Sequence, residues 1–101
     1  MRYYVIGDED TVIGFGMVGV KGQRVSTNDE AAAAFDEAIS QHDIGIIIIT
    51  EPCADMIRER VNRYLFAHEF PLIVEIPDRN GRNPNRPGLR EMVHQAIGIH
   101  L

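Results

Sequence analysis

Residues 44–51 read Ile44-Gly45-Ile46-Ile47-Ile48-Ile49-Thr50-Glu51. The run is apolar, rich in β-branched side chains and stopped by a polar pair. It does not alternate, so it predicts a strand covered on both faces, as in a parallel sheet packed between helices. It is far shorter than the roughly 20 residues a membrane-spanning helix needs.

Upstream of this strand, Ala31, Phe35, Ala38 and Ile39 form one apolar helical stripe, ended by Gln41-His42-Asp43. Thr27-Asn28-Asp29-Glu30 fits the capping box that would start this helix. Before it, residues 23–26 predict a short polar strand at the sheet edge, entered through Lys21-Gly22. The chain opens with a strand over residues 2–6, ended by Gly7. Asp8-Glu9-Asp10-Thr11 then supplies an N-cap and acids for a first helical turn. Residues 12–20 predict a short, weak helix, with Val12, Phe15 and Gly19 on one face. Gly14, Gly16 and Gly19 would each cost about 0.8–1 kcal/mol there relative to Ala. They suggest close approach to a neighbouring element.

Downstream, Thr50 or Glu51 caps a third helix with Pro52 in its first turn, where a missing N–H is harmless. Ala54, Ile57, Val61, Tyr64 and Leu65 form its buried stripe. Asp55, Arg58, Glu59, Arg60 and Arg63 form its wet face, with Glu59 and Arg63 spaced for an ion pair. Pro71 leads into a fourth strand over residues 72–76, and Pro77 stops it. Residues 78–88 form a polar loop rich in Arg, Asn, Pro and Gly. Leu89, Met92, Val93, Ala96 and Ile97 define a closing amphipathic helix that Gly98 ends.

The order is strand–helix four times over. Right-handed crossovers make this an α/β fold: a small doubly wound four-stranded parallel sheet, order 2-1-3-4, with helices on both faces, flavodoxin- or receiver-like. At 101 residues the chain is expected to be a single domain. Its core spans residues 1–77, its loop 78–88, and its closing helix and tail 89–101. The net charge of −5 argues against non-specific nucleic-acid binding. Met1-Arg2 leads straight into a strand, and nothing resembles a signal peptide or a transmembrane segment. The single cysteine, Cys53, excludes an intrachain disulfide and a multi-cysteine zinc site.

Several features look chemical. Gly14-Phe15-Gly16-Met17-Val18-Gly19 spells G-x-G-x-x-G, but the turn that leaves the first strand is Gly7-Asp8-Glu9-Asp10, whose charge repels phosphate. The switch point between the first and third strands collects Asp8, Glu9, Asp10, Thr50 and Glu51. A receiver-like regulatory domain would bind Mg²⁺ there, but the third strand delivers Thr50-Glu51 in place of a phospho-acceptor aspartate, and Lys21 is the only lysine. Helix capping explains the same acids. Cys53 opens a helix, where a thiolate is stabilised, yet a C-x5-R loop would need arginine where Glu59 stands. A small buried cysteine fits better. His42, His68, His94 and His100 lack metal-ligand spacing within one helix. No cofactor or metal is expected. Arg79, Arg82 and Arg86 read either as a solvated loop or as a surface for an acidic partner.

Four stretches in order resemble a known family. Ile6-Gly7-Asp8-Glu9-Asp10-Thr11-Val12-Ile13-Gly14-Phe15, with Gly19-Val20, resembles the opening of the F subunit of V-type and A-type rotary ATPases. Asp43 to Glu51 is similar to that family's third strand, Phe70 to Pro77 to its fourth, and Ala96-Ile97-Gly98-Ile99 to its closing helix. Gly16-Met17-Val18 departs from it, where an arginine and a leucine are expected. The resemblance implies a non-catalytic central-stalk subunit that docks on the coiled-coil D subunit and rotates inside the ring of A and B subunits. That complex couples ATP hydrolysis or synthesis to ion movement. The subunit would be peripheral, on the cytoplasmic face, and tied to the membrane only through the complex. The candidate partner-binding residues are Phe15, Arg79, Arg82, Arg86, Arg90, His94, Ile99 and Leu101. Residues 89–101 are either a mobile, partner-contacting arm or a permanently docked fourth helix.

Overall fold

A computed structural model describes residues 1–65 and 70–78. In chain order its elements are β1 (Arg2–Gly7), α1 (Glu9–Gly16), β2 (Lys21–Arg24), α2 (Asn28–Ser40), β3 (Ile44–Thr50), α3 (Glu51–Met56), α4 (Arg58–Leu65) and β4 (Leu72–Ile76). The four strands form one parallel sheet in the order β2-β1-β3-β4. That is the order the crossover rule predicts. The closing helix and the loop from residue 79 onward lie outside the described residues.

Strand alternation divides the sheet into two faces. Tyr4, Ile6, Ile47, Ile49, Ile73 and Glu75 share the first, because Tyr4 stands opposite Ile47, Ile6 opposite Ile49, and Ile47 opposite Ile73. This face carries the core. Ile6, Ile47 and Ile49 are fully buried against Ala31, Phe35 and Ala38 of α2, Cys53 and Ala54 of α3, and Val61 of α4. Phe35 meets Tyr64 edge-on at 5.6 Å between ring centroids, a favourable aromatic geometry. The second face carries Tyr3, Val5, Ile46, Ile48, Leu72, Val74 and Ile76. On that face α1 packs on β1 and β2, and Val5 is fully buried.

The β3 expectation therefore holds for one face only. Ile47 and Ile49 are buried, whereas Ile46 and Ile48 are half-buried, because α1 does not reach across to β3 and β4. The edge strand also differs from expectation. β2 is Lys21–Arg24, not residues 23–26. Its register explains this: Gly22 stands opposite Val5, where a Cβ would run into the Val5 side chain and carbonyl. Val25, just past the strand, is buried in the core.

The starts of α1 and α2 follow the sequence closely, whereas Thr50, at the N-cap position of α3, makes no side-chain capping hydrogen bond. The Asp8 carboxylate accepts from the Thr11 N–H at 3.1 Å and the Thr11 hydroxyl at 2.7 Å. Both halves of the Thr27–Glu30 capping box are formed. α1 runs from Glu9 to Gly16 and ends in a turn where Gly19 adopts φ +89°, a conformation glycine adopts without steric cost. Gly14, Gly16 and Gly19 face open space, so close packing is not the reason for them. The third helix is two helices, α3 and α4, broken at Ile57 (φ −131°, ψ 40°). The break points Ile57 into the core, and the next residue, Arg58, reaches back to β4.

Candidate functional site

The C-terminal edge of the sheet, between β1 and β3, is where a doubly wound fold places a ligand. Here Asp8 and Glu9 make local contacts. Asp8 caps α1, Glu9 pairs with Arg24 at 2.8 Å on the surface, and Glu51 is buried in the first turn of α3. Among the described residues no three His, Cys, Asp or Glu side chains are placed to hold a metal ion. The glycines of the G-x-G-x-x-G stretch lie at the end of α1 and in the turn after it, away from the strand–helix turn. They form no phosphate cradle.

Cys53 is buried in α3. Burial pushes its thiol above the ordinary value. The hydrogen bond with Thr50 works the other way, and the carboxylates of Asp8 and Asp78 add to the upward shift. A nucleophilic cysteine needs the opposite environment, exposed and electropositive. His42 is exposed between α2 and β3. His68, His94 and His100 lie outside the described residues.

Sequence reasoning missed the charged assembly around Arg58, as it did the ion pairs Arg2–Asp43 and Arg60–Asp36. Arg58, placed on the wet face of its helix, is half-buried and grips both carboxylate oxygens of Glu75 at 2.7 and 3.0 Å. Asp55 holds the same guanidinium at 2.6 Å. These contacts, the Glu75 hydrogen bond foremost, raise the Arg58 pKa further, against the cost of burial. The pairing fastens α4 to the edge strand β4. Alternation was the available signal: with Leu72, Val74 and Ile76 on one face, Glu75 must point to the other, toward the core. The expected Glu59–Arg63 pair is not a side-chain pair. Arg63 donates to the Glu59 carbonyl at 3.5 Å.

Part of the remaining surface is apolar. A groove of about 440 Å³ runs between α1 and the end of β4, lined by Gly14, Phe15, Val18, Ile76 and Pro77, with Asp10 and Asp78 also on its wall. Phe15 is thus half-buried inside a groove. Ile13, Met17 and Val18 on and after α1, and Leu72 and Val74 on β4, are exposed instead. None of those five stood among the contact residues expected from the sequence. The candidates Arg79, Arg82, Arg86, Arg90, His94, Ile99 and Leu101 lie outside the described residues.

Residues 4–95 match the family model of the ATP synthase (F/14-kDa) subunit. Among similar proteins, the A-type ATP synthase F subunit of Methanothermobacter thermautotrophicus is 36% identical over 99 residues, covering 96% of this chain and 92% of the relative. That of Methanocaldococcus jannaschii is 32% identical over 102 residues, covering 100% and 99%. The crystal structure of the Archaeoglobus fulgidus V-type ATP synthase F subunit shares the fold, with a TM-score of 0.61 at 21% identity over 74% of this chain and 95% of that one. Family model and relatives alike run nearly end to end along the sequence, so the chain belongs to the family of the ATP synthase (F/14-kDa) subunit.

Proposed function

We propose that the protein is a non-catalytic subunit of the central stalk of an A/V-type ATPase, docked on the D subunit and turning with it inside the A/B ring. There it helps couple ATP hydrolysis or synthesis to ion transport, on the cytoplasmic side of the membrane. The observation that carries this reading is the family match over residues 4–95, with relatives covered almost completely. The described residues support it. At the switch point Asp8 caps α1, and burial raises the Cys53 thiol above its ordinary value. Exposed apolar side chains on α1 and β4 suit a subunit that assembles with others. No helix among the described residues is long and apolar enough to cross a membrane.

The partner-facing residues under this reading are Phe15 and the basic and apolar positions near the C-terminus: Arg79, Arg82, Arg86, Arg90, His94, Ile99 and Leu101. Coexpression of this chain with the D subunit of the same source tests the proposal. A stable one-to-one complex on size exclusion is the expected result, and separate elution of the two chains would overturn it.

A further inference from the structure

Residues 17–20 turn the chain from α1 into β2 and return it to the end of the sheet where β1 begins. The turn is fastened by its own backbone. The Gly19 N–H donates to the Gly16 carbonyl at 3.1 Å, the Val20 N–H donates to the Phe15 carbonyl at 3.0 Å, and Gly19 takes φ +89°. A turn held in this way needs little further ordering to bind a partner. Its tip is apolar: Met17 is 81% exposed and Val18 76%. Across a depression of about 260 Å³, lined by Met1, Arg2, Tyr3, Gly19, Val20 and Lys21, stand the side chains of Met1 and Tyr3, also exposed.

Single apolar side chains on a surface are ordinary, but several gathered at one corner of a domain mark a site of interaction. Methionine and tyrosine are among the residues enriched at such sites. The charge at this corner selects the partner. Arg2, on the wall of the depression, reaches Asp43, and Arg24, Arg58 and Arg60 likewise each reach a carboxylate of their own chain. Lys21 makes no ion pair among the described residues, although the chain carries a net charge of −5. We infer that this corner docks a segment of another subunit in which a carboxylate stands beside apolar side chains. The carboxylate pairs with Lys21, and the apolar side chains lie on Met17, Val18 and Tyr3. A second copy of the chain suits the corner less well, because a two-fold contact sets each surface against itself and would bring lysine to lysine. The inference rests on the stalk-subunit reading, which supplies the other subunits.

Lys21 is the only lysine in the chain, so zero-length coupling of amines to carboxylates by a water-soluble carbodiimide reads the contact directly. In the purified ATPase complex of the same source, mass spectrometry should find Lys21 joined to an aspartate or glutamate of another subunit. Lys21→Arg keeps the charge and should remove that cross-link while the complex stays assembled. Coexpressed with an equal amount of wild type, Lys21→Glu should lose the competition for a place in the complex by about tenfold, since like charges are then opposed. The same loss is expected of a Met17→Ser, Val18→Ser chain. These three side chains are exposed, so the substitutions leave the core intact. A complex that contains the chain but yields no Lys21 cross-link would overturn the inference and leave the stalk reading standing. So would cross-links only to the chain's own carboxylates or to a second copy, or a Lys21→Glu chain that competes equally. Absence of the chain from the complex would overturn the stalk reading, and this inference with it.

Discussion

Cys53 illustrates how a single side chain can sit at a suggestive place and be disarmed by its surroundings. Its thiol is raised in the folded state, first by burial. In the unfolded chain it would lose its proton at the ordinary value. Stability therefore falls as pH rises through that unfolded value and levels off above the folded one. Alkylation by iodoacetamide at mildly alkaline pH should be slow in native protein and fast in urea, and mass spectrometry would show the difference. Equal rates would mean that the thiol is exposed. Glu75 carries a different kind of burden. Its side chain is 9% exposed, and its partner Arg58 is 30% exposed. Glu75→Ala should cost about 1.5–3 kcal/mol, the range for hydrogen bonds to charged groups. Retention of Asp55 beside the guanidinium keeps the loss toward the lower end. A shift of the urea midpoint at unchanged slope would measure it.

Among the elements, β3 and α1 differ most in burial: five of the seven residues of β3 are buried and none of α1. Ile47 is fully buried between its neighbours Tyr4 and Ile73. Ile47→Ala leaves a cavity and should cost about 2–5 kcal/mol, read as a drop in the thermal midpoint. α1 has no buried residue and ends at Gly16, where a Cβ would meet nothing within 4 Å. Gly16→Ala should therefore stabilise by about 0.4–1 kcal/mol, chiefly by restricting the unfolded chain. An unchanged or lower midpoint would show that this glycine serves another purpose. α3 and α4 show how tertiary packing shapes an element. A single amphipathic stripe links Ala54 to Leu65, yet the helix stops at Met56 and restarts at Arg58. Burial of Ile57 and the pull of Glu75 on Arg58 accompany the break.

At the scale of the whole molecule, the described residues cover the two faces of the sheet unequally: α2, α3 and α4 pack on one, and α1 packs on the other over β1 and β2. The sequence by itself determined the parallel sheet, its order and the capped starts of α1 and α2, because these follow from periodicity, turn chemistry and the handedness of crossovers; the family was legible only through the resemblance of four stretches. Periodicity, turn chemistry and crossover handedness are local or topological rules that a chain obeys wherever its side chains end up. Only the tertiary structure decided that Ile46 and Ile48 are half-covered, that β2 begins at Lys21, that Arg58 leaves the wet face for Glu75, and that α1 turns Phe15 into a groove. Each of these depends on which element arrives over which strand. A β-branched run such as Ile46 to Ile49 specifies strand without naming its neighbours, and burial is decided by them.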